Sequence, residues 1–427
     1  MKFDYGITGL EIDLHHSWNT TIIPAKKQKV IDNPKKIIKD NINHPLSSMS
    51  LADIIKQKKH INQACIVVSD ATRPVPSSII LDALITELNS YGVNNEKILV
   101  LVATGLHHAS NQEELKRIVG QKFIKKVKII NHNAYETDSL IFLDKDINGV
   151  PISINKHYYN SDVKILTGYV EPHFFFGFSG GTKSIVPGIA GADTIQANHS
   201  AENIASPYAL FGIHKNNPMA INSGNIAKLI GCDFAINVCI NEEHKITQVA
   251  AGDLEEVHKQ LIDYQLKYIF KKIDSPYDIV ICGNGGFPLD LNLYQAVKSM
   301  AIGEIAVKDG GTIISVNECK NGIGKGHQKF KQLLFSGMTP KIIYNKILNK
   351  EIVLPDQWEI QILTRVMMKA EIYLVSKLKE EDLGNIGLKY AKDVETAINL
   401  ALKKHGKDAR ILVLPNGPQK IPRIKMN

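Results

Sequence analysis

The segment 64–74, ACIVVSDATRP, indicates the fold. Its first six residues form an apolar run without alternation, which is typical of a parallel β-strand covered on both faces. The polar stretch 69–74, SDATRP, begins where that strand should end. Ligands of doubly wound sheets bind beyond the carboxyl ends of the strands. The segment therefore predicts an α/β sheet with a candidate site directly after this strand.

Apolar runs alternate with helical patterns along the rest of the chain, which favours βαβ units. In the first part, strands are predicted at 64–69, 97–103, 127–131 and 163–169, and helices at 77–91, 111–119 and 254–270. After a boundary at Ser275-Pro276, strands are predicted at 279–282, 312–316, 372–375 and 410–414, and helices at 293–307 and 391–404. We therefore predict two Rossmann-like α/β domains, 1–272 and 273–427, with the active site in the cleft between them. The last strand, 410–414, either stays in the second domain or returns to the first.

The composition excludes several classes of protein. The 427 residues include 44% apolar and 22% charged residues, which is ordinary for a globular protein and excludes collagen-like and disordered chains. No apolar run approaches the ~20 residues that span a bilayer, and the start MKFDYGITGL lacks the plan of a secretory signal. We expect a cytoplasmic protein without a membrane partner. The net charge of +8 is spread out without interleaved aromatic residues, so we expect no nucleic-acid partner.

Polar clusters follow other predicted strands as well. They are ATGLHH at 103–108, EPH at 171–173 and GNGG at 283–286. Within the first cluster, at 69–74, Arg73 either holds a carboxylate or phosphate by a bidentate hydrogen bond, or forms a structural ion pair. Asp70 and Thr72 either bind a ribose or phosphate, or cap the following helix.

The richest stretch is 173–184, HFFFGFSGGTKS. Backbone amides of a glycine-rich turn such as Gly180-Gly181 can cradle a phosphate. Thr182 stands where the P-loop pattern needs its last glycine, so we exclude a nucleotide triphosphatase. Lys183 is a candidate nucleophile or covalent cofactor anchor, and a phosphate partner or surface charge is the alternative.

Three histidines lie in separate polar turns, His107, His173 and His199. Each is a candidate metal ligand or proton carrier, or else a structural histidine. No HExxH or CxxC spacing supports a zinc hydrolase, and the five cysteines predict reduced thiols. Further candidates, which are alternatively helix-surface or core residues, are Tyr294, Lys298 and Trp358.

Together these segments resemble the lactate racemase family, the racemases and epimerases of 2-hydroxy acids that depend on a nickel-pincer nucleotide. The matches occur in family order and span most of the chain. They are SDATRP at 69–74, ATGLH at 103–107, EPHFFFGFSGGTKS at 171–184, NHS at 198–200, GNGGFPLD at 283–290, YQAVK at 294–298 and DQW at 356–358. One residue departs from the family pattern, because Thr182 replaces a basic residue before the lysine.

The resemblance implies an isomerase that carries nickel on a pyridinium-3-thioamide-5-thiocarboxylic acid mononucleotide. Lys183 matches the lysine that joins this cofactor covalently, and His199 matches the nickel ligand of the protein. His107 and His173 match the two acid/base histidines. The remaining matches are Asp70, Thr72, Gly180 and Gly181 near the cofactor, and Arg73, Tyr294, Gln295, Lys298 and Trp358 near the substrate.

The implied reaction is racemisation of D- and L-lactate by hydride transfer. Removing the α-hydrogen as hydride avoids a dianion beside the substrate carboxylate, and a base is needed on each side of the planar intermediate. The expected partners are a small 2-hydroxy acid and, transiently, cofactor-synthesis proteins. The first alternative is a racemase or epimerase of another 2-hydroxy acid, such as malate or a sugar acid. The others are a non-catalytic binding protein and an NAD-type dehydrogenase. The sequence lacks the glycine fingerprint that a dehydrogenase of this type needs.

Overall fold

The protein forms two compact units in a computed structural model that describes residues 1–145, 149–354 and 356–424. One unit is Lys27–Lys267, and the other combines Met1–Lys26 with Tyr268–Asn427. The predicted domains 1–272 and 273–427 differ from this division at two places, because residues 1–26 and 268–272 lie in the second unit. The strand Thr20–Ile22 adds to the sheet of that unit. Three residues are too short for a recognisable strand pattern.

The unit Lys27–Lys267 is built on a six-stranded sheet. Its strands, in order across the sheet, are Ile246–Gly252, Phe234–Ile240, Val163–Tyr169, Ala64–Ser69, Ile98–Ala103 and Lys128–Asn131. All neighbours are parallel except Ile246–Gly252, which is an antiparallel edge strand. In chain order this is 3-2-1-4-5-6, the Rossmann arrangement, whose order reverses between Ala64–Ser69 and Val163–Tyr169. A ligand crevice is therefore expected at the carboxyl ends of these two strands.

Helices cover both faces of this sheet. They are Pro34–Asn43, Leu51–Gln57, Ser77–Ser90, Gln112–Val119, Lys156–Tyr159, Ala192–Asn198, Ala201–Ala205, Pro218–Ile230 and Leu254–Tyr268. Successive strand residues point to opposite faces, so Ile66 and Val68 pack in one core cluster and Cys65 and Val67 in another. Because helices cover both faces of the sheet, the strand 64–69 does not alternate between apolar and polar residues.

The second unit contains a fully parallel six-stranded sheet. Its strands, in order across the sheet, are Lys389–Ala391, Glu371–Val375, Val307–Val316, Tyr277–Gly283, Ile411–Leu414 and Thr20–Ile22. The helices are Leu293–Ala306, Gln328–Leu334, Pro340–Leu348, Gln357–Lys369 and Val394–His405. The strand predicted at 410–414 thus stays in the second unit.

Smaller elements complete the description. Two-stranded ladders pair Lys2–Phe3 with Leu10–Glu11, Pro172–His173 with Gly177–Phe178, Leu140–Lys145 with Pro151–Asn155, and Phe270–Ile273 with Ile421–Ile424. Short 3₁₀ turns cover Asn95–Lys97, Thr137–Ser139, Gly181–Ser184 and Glu380–Leu383. All five cysteines are free. Among the helices of the described ranges, none has the length and apolar character needed to cross a membrane.

The predicted α/β class with parallel sheets is confirmed. Two strands of the six-stranded sheet in the unit Lys27–Lys267 went unpredicted, Phe234–Ile240 and its antiparallel neighbour Ile246–Gly252. Asn237 places a buried polar side chain in the middle of the apolar run FAINVCI, which obscures the pattern. The predicted position of the active site between the domains stays a prediction.

Phe3 tests the assignment of the N-terminal residues. Its side chain is 0% exposed in the core of the second unit, whereas Ile7 is 75% exposed. We expect Phe3→Ala to lower the free energy of unfolding of this unit by about 3–5 kcal/mol, because it leaves a cavity. Ile7→Ala, the matched control, should change it by less than about 0.5 kcal/mol.

Urea unfolding measures the free energy of unfolding of both variants. Native-state hydrogen exchange then identifies which unit is destabilised. Amides of Ile411–Leu414 should lose protection in Phe3→Ala, and those of Ala64–Ser69 should keep it. Loss of protection in Ala64–Ser69 alone would contradict the assignment.

Candidate active site

A buried carboxylate lies at the end of the strand Ala64–Ser69. Asp70 is 4% exposed. Its Oδ1 accepts hydrogen bonds from the backbone N–H of Thr72 at 2.9 Å and from the Thr72 hydroxyl at 2.6 Å. Its Oδ2 lies 2.6 Å from Nδ1 of His107, which follows the neighbouring strand. The neighbouring Arg73 contacts the Thr72 hydroxyl at 3.2 Å. The structure thus brings together four of the predicted site residues.

These contacts define the state of His107. Burial raises the pKa of Asp70, but hydrogen bonds from His107 and Thr72 and the charge of Arg73 outweigh burial and leave the pKa below its ordinary value. Asp70 is therefore an ionised acceptor at neutral pH, and Nδ1 of His107 donates to it. The lone pair of the neutral imidazole then lies on Nε2, which is free of this pairing and suited to accept a proton.

The loop of His107 is tied to the turn of Lys183. The backbone N–H of Gly105 donates to the carbonyl of Gly188 at 3.0 Å, and the N–H of Gly188 donates to the carbonyl of Lys183 at 3.2 Å. A Cβ on Gly105 would lie 3.3 Å from the carbonyl oxygen of Pro187. This close approach fixes the two loops relative to each other.

A buried histidine that the sequence analysis missed strengthens this connection. His132 lies 2.9 Å through Nε2 from the carbonyl of Ala190, and its Nδ1 lies 3.1 Å from the amide nitrogen of Asn155. The hydroxyl of Thr104 donates to the His132 carbonyl at 2.5 Å. Burial lowers the pKa of His132 to about 4, although the bond to Ala190 opposes this. His132 directly follows the strand Lys128–Asn131, and this position after a parallel strand could have identified it as a candidate site residue.

The glycine turn before Lys183 depends on close packing. Gly180 and Gly181 have φ angles of +74° and +54°, which favour glycine. A Cβ on Gly181 would lie 2.5 Å from the ring of His258, and one on Gly180 would lie 2.7 Å from Oδ1 of Asn237. The Gly181 N–H donates to the same Asn237 oxygen at 3.1 Å. This amide thus holds the turn to the strand Phe234–Ile240.

Two phenylalanine rings connect the remaining predicted residues of this unit. The His173 and His199 rings both pack edge-on against Phe175, with centroid distances of 4.6 and 5.2 Å. Nζ of Lys183 lies 4.9 Å from the ring centroid of Phe176. Burial and the charge of Lys183 lower the pKa of His199 to about 3. His199 is therefore a neutral imidazole, the form that binds metals.

His173 has the opposite ring pattern from His107. The backbone N–H of Phe176 donates to Nδ1 of His173 at 3.3 Å. Nδ1 is thus an acceptor, and the proton of the neutral ring lies on Nε2. The two histidines are held by different partners and in different tautomers.

The predicted residues of the second unit also lie together. Nζ of Lys298 donates to Oε1 of Gln295 at 2.7 Å. Tyr294 stacks on His327 with a centroid distance of 3.6 Å. Burial and the nearby carboxyls of Glu359 and Asp356 raise the pKa of Tyr294, while a hydrogen bond with Trp358 opposes this. His327 and Glu359 were not predicted from the sequence, although Glu359 directly follows the DQW segment.

The donor set fits a metal with an organic ligand. Within the described part of the chain, no group of three or more His, Cys, Asp and Glu side chains is arranged to hold a metal ion. His199 alone supplies one neutral nitrogen, and the lysine amine beside it can be acylated. The other ligands of a metal at His199 could be supplied by an organic group, and Lys183 is placed to carry one. The residues fit such a group.

Buried neutral histidines predict acid instability. Burial and the charge of His214 lower the pKa of His258 to about 3, whereas a free histidine titrates near ~6.5. The unfolded chain therefore binds one proton more than the folded chain between these values. Stability falls as the pH drops below the unfolded pKa, by about 1.4 kcal/mol per pH unit for each such histidine.

His258→Gln tests this linkage, since a glutamine amide can still donate to the Ser179 carbonyl that Nε2 of His258 meets at 2.9 Å. Urea unfolding between pH 4.5 and 6 should show a stability slope lower by about 1.4 kcal/mol per pH unit than in the parent protein. His60→Gln is the matched control, because that ring is exposed in the folded protein. Equal slopes in His258→Gln and the parent would contradict a neutral His258.

Comparison with known proteins assigns the family. Residues 5–212 match the model of the lactate racemase N-terminal domain, and residues 272–421 match that of the lactate racemase C-terminal domain. The chain is 35% identical to a lactate racemase of Thermoanaerobacterium thermosaccharolyticum, over 100% of this chain and 99% of the relative. It is 36% identical to a lactate racemase of Lactiplantibacillus plantarum, over 90% of this chain and 89% of the relative.

Solved structures agree with this assignment. The lactate racemase apoprotein of T. thermosaccharolyticum superposes with a TM-score of 0.91 at 34% identity, covering 99% of both chains. A Thermotoga maritima protein matches with a TM-score of 0.64 at 17% identity, over 92% of this chain and 98% of that one, and shares the fold. The family resemblance read from the sequence is confirmed, and the protein is a racemase, hence an isomerase, that belongs to the lactate racemase family.

Proposed function

We propose that this racemase interconverts D- and L-lactate, with a nickel-pincer nucleotide on Lys183 and its nickel bound by His199. One observation carries the proposal. A neutral, buried imidazole and a lysine amine flank the same pair of phenylalanine rings, Phe175 and Phe176. The curated relatives are lactate racemases over nearly their full length, which favours lactate as the substrate.

Hydride chemistry explains why such a group is needed. The α-hydrogen of lactate lies beside a carboxylate, so removal as a proton would place a second negative charge next to the first. When bound to Lys183 and His199, the nucleotide would supply hydride chemistry, an acceptor and donor for that hydrogen together with its electron pair. The protein supplies binding, orientation and proton transfer.

His107 is the proposed base for one enantiomer. The ionised Asp70 accepts from Nδ1, which keeps the lone pair on Nε2. This nitrogen accepts the substrate hydroxyl proton as the α-hydrogen leaves. The imidazolium that forms is stabilised by the carboxylate at 2.6 Å.

His173 is the proposed acid/base group for the other face. In the neutral ring its Nε2 carries the proton, because Nδ1 accepts from the Phe176 N–H. This N–H can donate a hydrogen bond to the hydroxyl or keto oxygen of the substrate. Accepting the proton of the opposite enantiomer requires the other tautomer, so His173 has to give up its bond with Phe176 during turnover.

Cationic and polar side chains are proposed to hold the substrate and cofactor. Arg73, next to Asp70, is suited to a bidentate contact with the substrate carboxylate. Other proposed substrate contacts are Tyr294, Gln295, Lys298 and Trp358. The proposed contacts with the nucleotide are Asp70, Thr72, Gly180 and Gly181. Loading Lys183 requires proteins that make the cofactor, and we propose that they bind transiently.

Substitution of the anchor tests the proposal. Lys183→Arg keeps the positive charge but cannot form the thioamide, so it should abolish racemisation of lactate and remove the added mass from the intact protein. His199→Ala should also abolish racemisation and should lower bound nickel to background. Lys228→Ala, at an exposed lysine, is the control and should retain activity, mass and nickel.

Chiral chromatography of the lactate formed, intact-mass spectrometry and elemental analysis provide three separate measurements. A Lys183→Arg protein that still racemises lactate would rule out the covalent anchor. Parent protein that carries nickel and the added mass but leaves lactate unchanged would rule out this substrate.

Asp70→Asn tests the orientation of His107. The two donors of Thr72 keep the amide oxygen on their side, so the amide nitrogen faces His107 and donates to Nδ1. The ring proton then moves to Nε2, and the base is lost. We expect kcat/KM to fall by about 100-fold or more in both directions.

Asp82→Asn is the matched control, because that carboxylate pairs only with surface lysines in the contacts described, at 3.4 Å to Lys35 and 2.6 Å to Lys122. It should stay within about twofold of the parent. Activity of Asp70→Asn equal to that of Asp82→Asn would exclude His107 as the oriented base.

A further inference from the structure

A buried acid in the second unit has no role in the mechanism above. Glu359 is 1% exposed, in the first turn of the helix Gln357–Lys369. Within the ranges that the structure describes, its Oε1 has no hydrogen-bond partner. A buried carboxyl group with an unsatisfied oxygen is costly, and a native protein keeps one where it serves a purpose. The position of Glu359 beside the proposed substrate residues suggests that purpose.

Charged groups around Glu359 come from several elements. Lys298, on the packed helix Leu293–Ala306, favours its ionised form, and Asp356 disfavours it. Tyr294, on the same helix as Lys298, interacts with both carboxyls and stacks on His327. Among the described residues, these titratable groups lie at this end of the helix.

Other charged groups that face the helix Gln357–Lys369 are paired away from Glu359. Arg365 binds Glu304 with nitrogen–oxygen distances of 2.9 and 2.8 Å. Tyr344, on the helix Pro340–Leu348, interacts with Gln361 and Arg365. The helix Gln328–Leu334 contributes Phe330, which is apolar and packs on Tyr294. In the part of the chain that the structure describes, Lys298 is therefore the cation whose charge acts on Glu359.

We propose that Glu359 is a positioning residue that sets the charge Lys298 offers to an anionic substrate. While Glu359 is protonated, Lys298 keeps its full positive charge and attracts the carboxylate of the 2-hydroxy acid. When Glu359 ionises, its buried negative charge offsets that of Lys298 and weakens substrate binding. This inference rests on the proposed function, in which Lys298 contacts the substrate.

The protonation state follows from burial. Burial raises the pKa of Glu359 to about 8, although Lys298 opposes this and Asp356 adds to it. The carboxyl group is therefore mainly neutral at pH 7 and mainly ionised at pH 9. The apparent KM for lactate should be flat below pH 7.5 and rise above pH 8, approaching tenfold per pH unit if only the protonated form binds. The kcat should change much less, because Glu359 does not touch the reacting atoms.

The experiment compares three holoproteins between pH 7 and 9.5. In the parent, KM at pH 9.2 should be about five- to tenfold higher than at pH 7.5. Glu359→Gln keeps the shape and removes the ionisation, so its KM should vary by less than about twofold over this range. Glu395→Gln, an exposed acid in the same unit, is the matched control and should behave as the parent.

Each outcome decides a separate question. A flat KM in the parent would overturn the inference, and this measurement does not depend on the folding of any variant. A rise that persists unchanged in Glu359→Gln would assign the titration to another group, such as Lys298 itself, and would also overturn it. Loaded parent protein that fails to racemise lactate at any pH would refute the proposed function instead.

Discussion

The candidate site of the unit Lys27–Lys267 depends on one topological constraint, the reversal of strand order between Ala64–Ser69 and Val163–Tyr169. Connections leave these two adjacent parallel strands in opposite directions, so the carboxyl end of the sheet opens between them. Asp70 follows one strand and His173 follows the other. His107 reaches the same edge because its loop follows the next strand, Ile98–Ala103. The chemistry-bearing residues are distant in sequence but share this edge of the sheet.

The side chains below this edge show how the fold controls protonation. His132, His199 and His258 are all buried, and burial is the largest cause of the lowered pKa of each. His107 instead has a carboxylate beside its ring, with Oδ2 of Asp70 2.6 Å from Nδ1. Burial thus favours the neutral form of the three buried rings, whereas the contact with Asp70 fixes which nitrogen of His107 donates.

Sequence patterns predicted most of the parallel strands in the two six-stranded sheets and the polar turns after them, because double burial leaves a continuous apolar run and turns expose polar residues. They did not predict Asn237 or His258, whose contacts with the Gly180-Gly181 turn join residues that are more than fifty positions apart. The strand Thr20–Ile22 was missed for a related reason, since its pairing with Ile411–Leu414 leaves no local signal. Glu359 looks like an ordinary helix residue, and only packing reveals that it is buried.

The unequal surroundings of His107 and His173 are compatible with a racemase because of a thermodynamic constraint. Two enantiomers have equal free energies in water, so the equilibrium constant is one and kcat/KM must be the same in both directions. A carboxylate behind one imidazole and a backbone N–H behind the other therefore cannot favour one product at equilibrium. They can make kcat and KM differ between the two directions only by the same factor, so that kcat/KM stays equal in both. An active site on a chiral scaffold cannot be symmetric. The equality of kcat/KM in the two directions makes such symmetry unnecessary. Each face of the proposed intermediate needs a group that exchanges a proton, and the two groups can be held by different means.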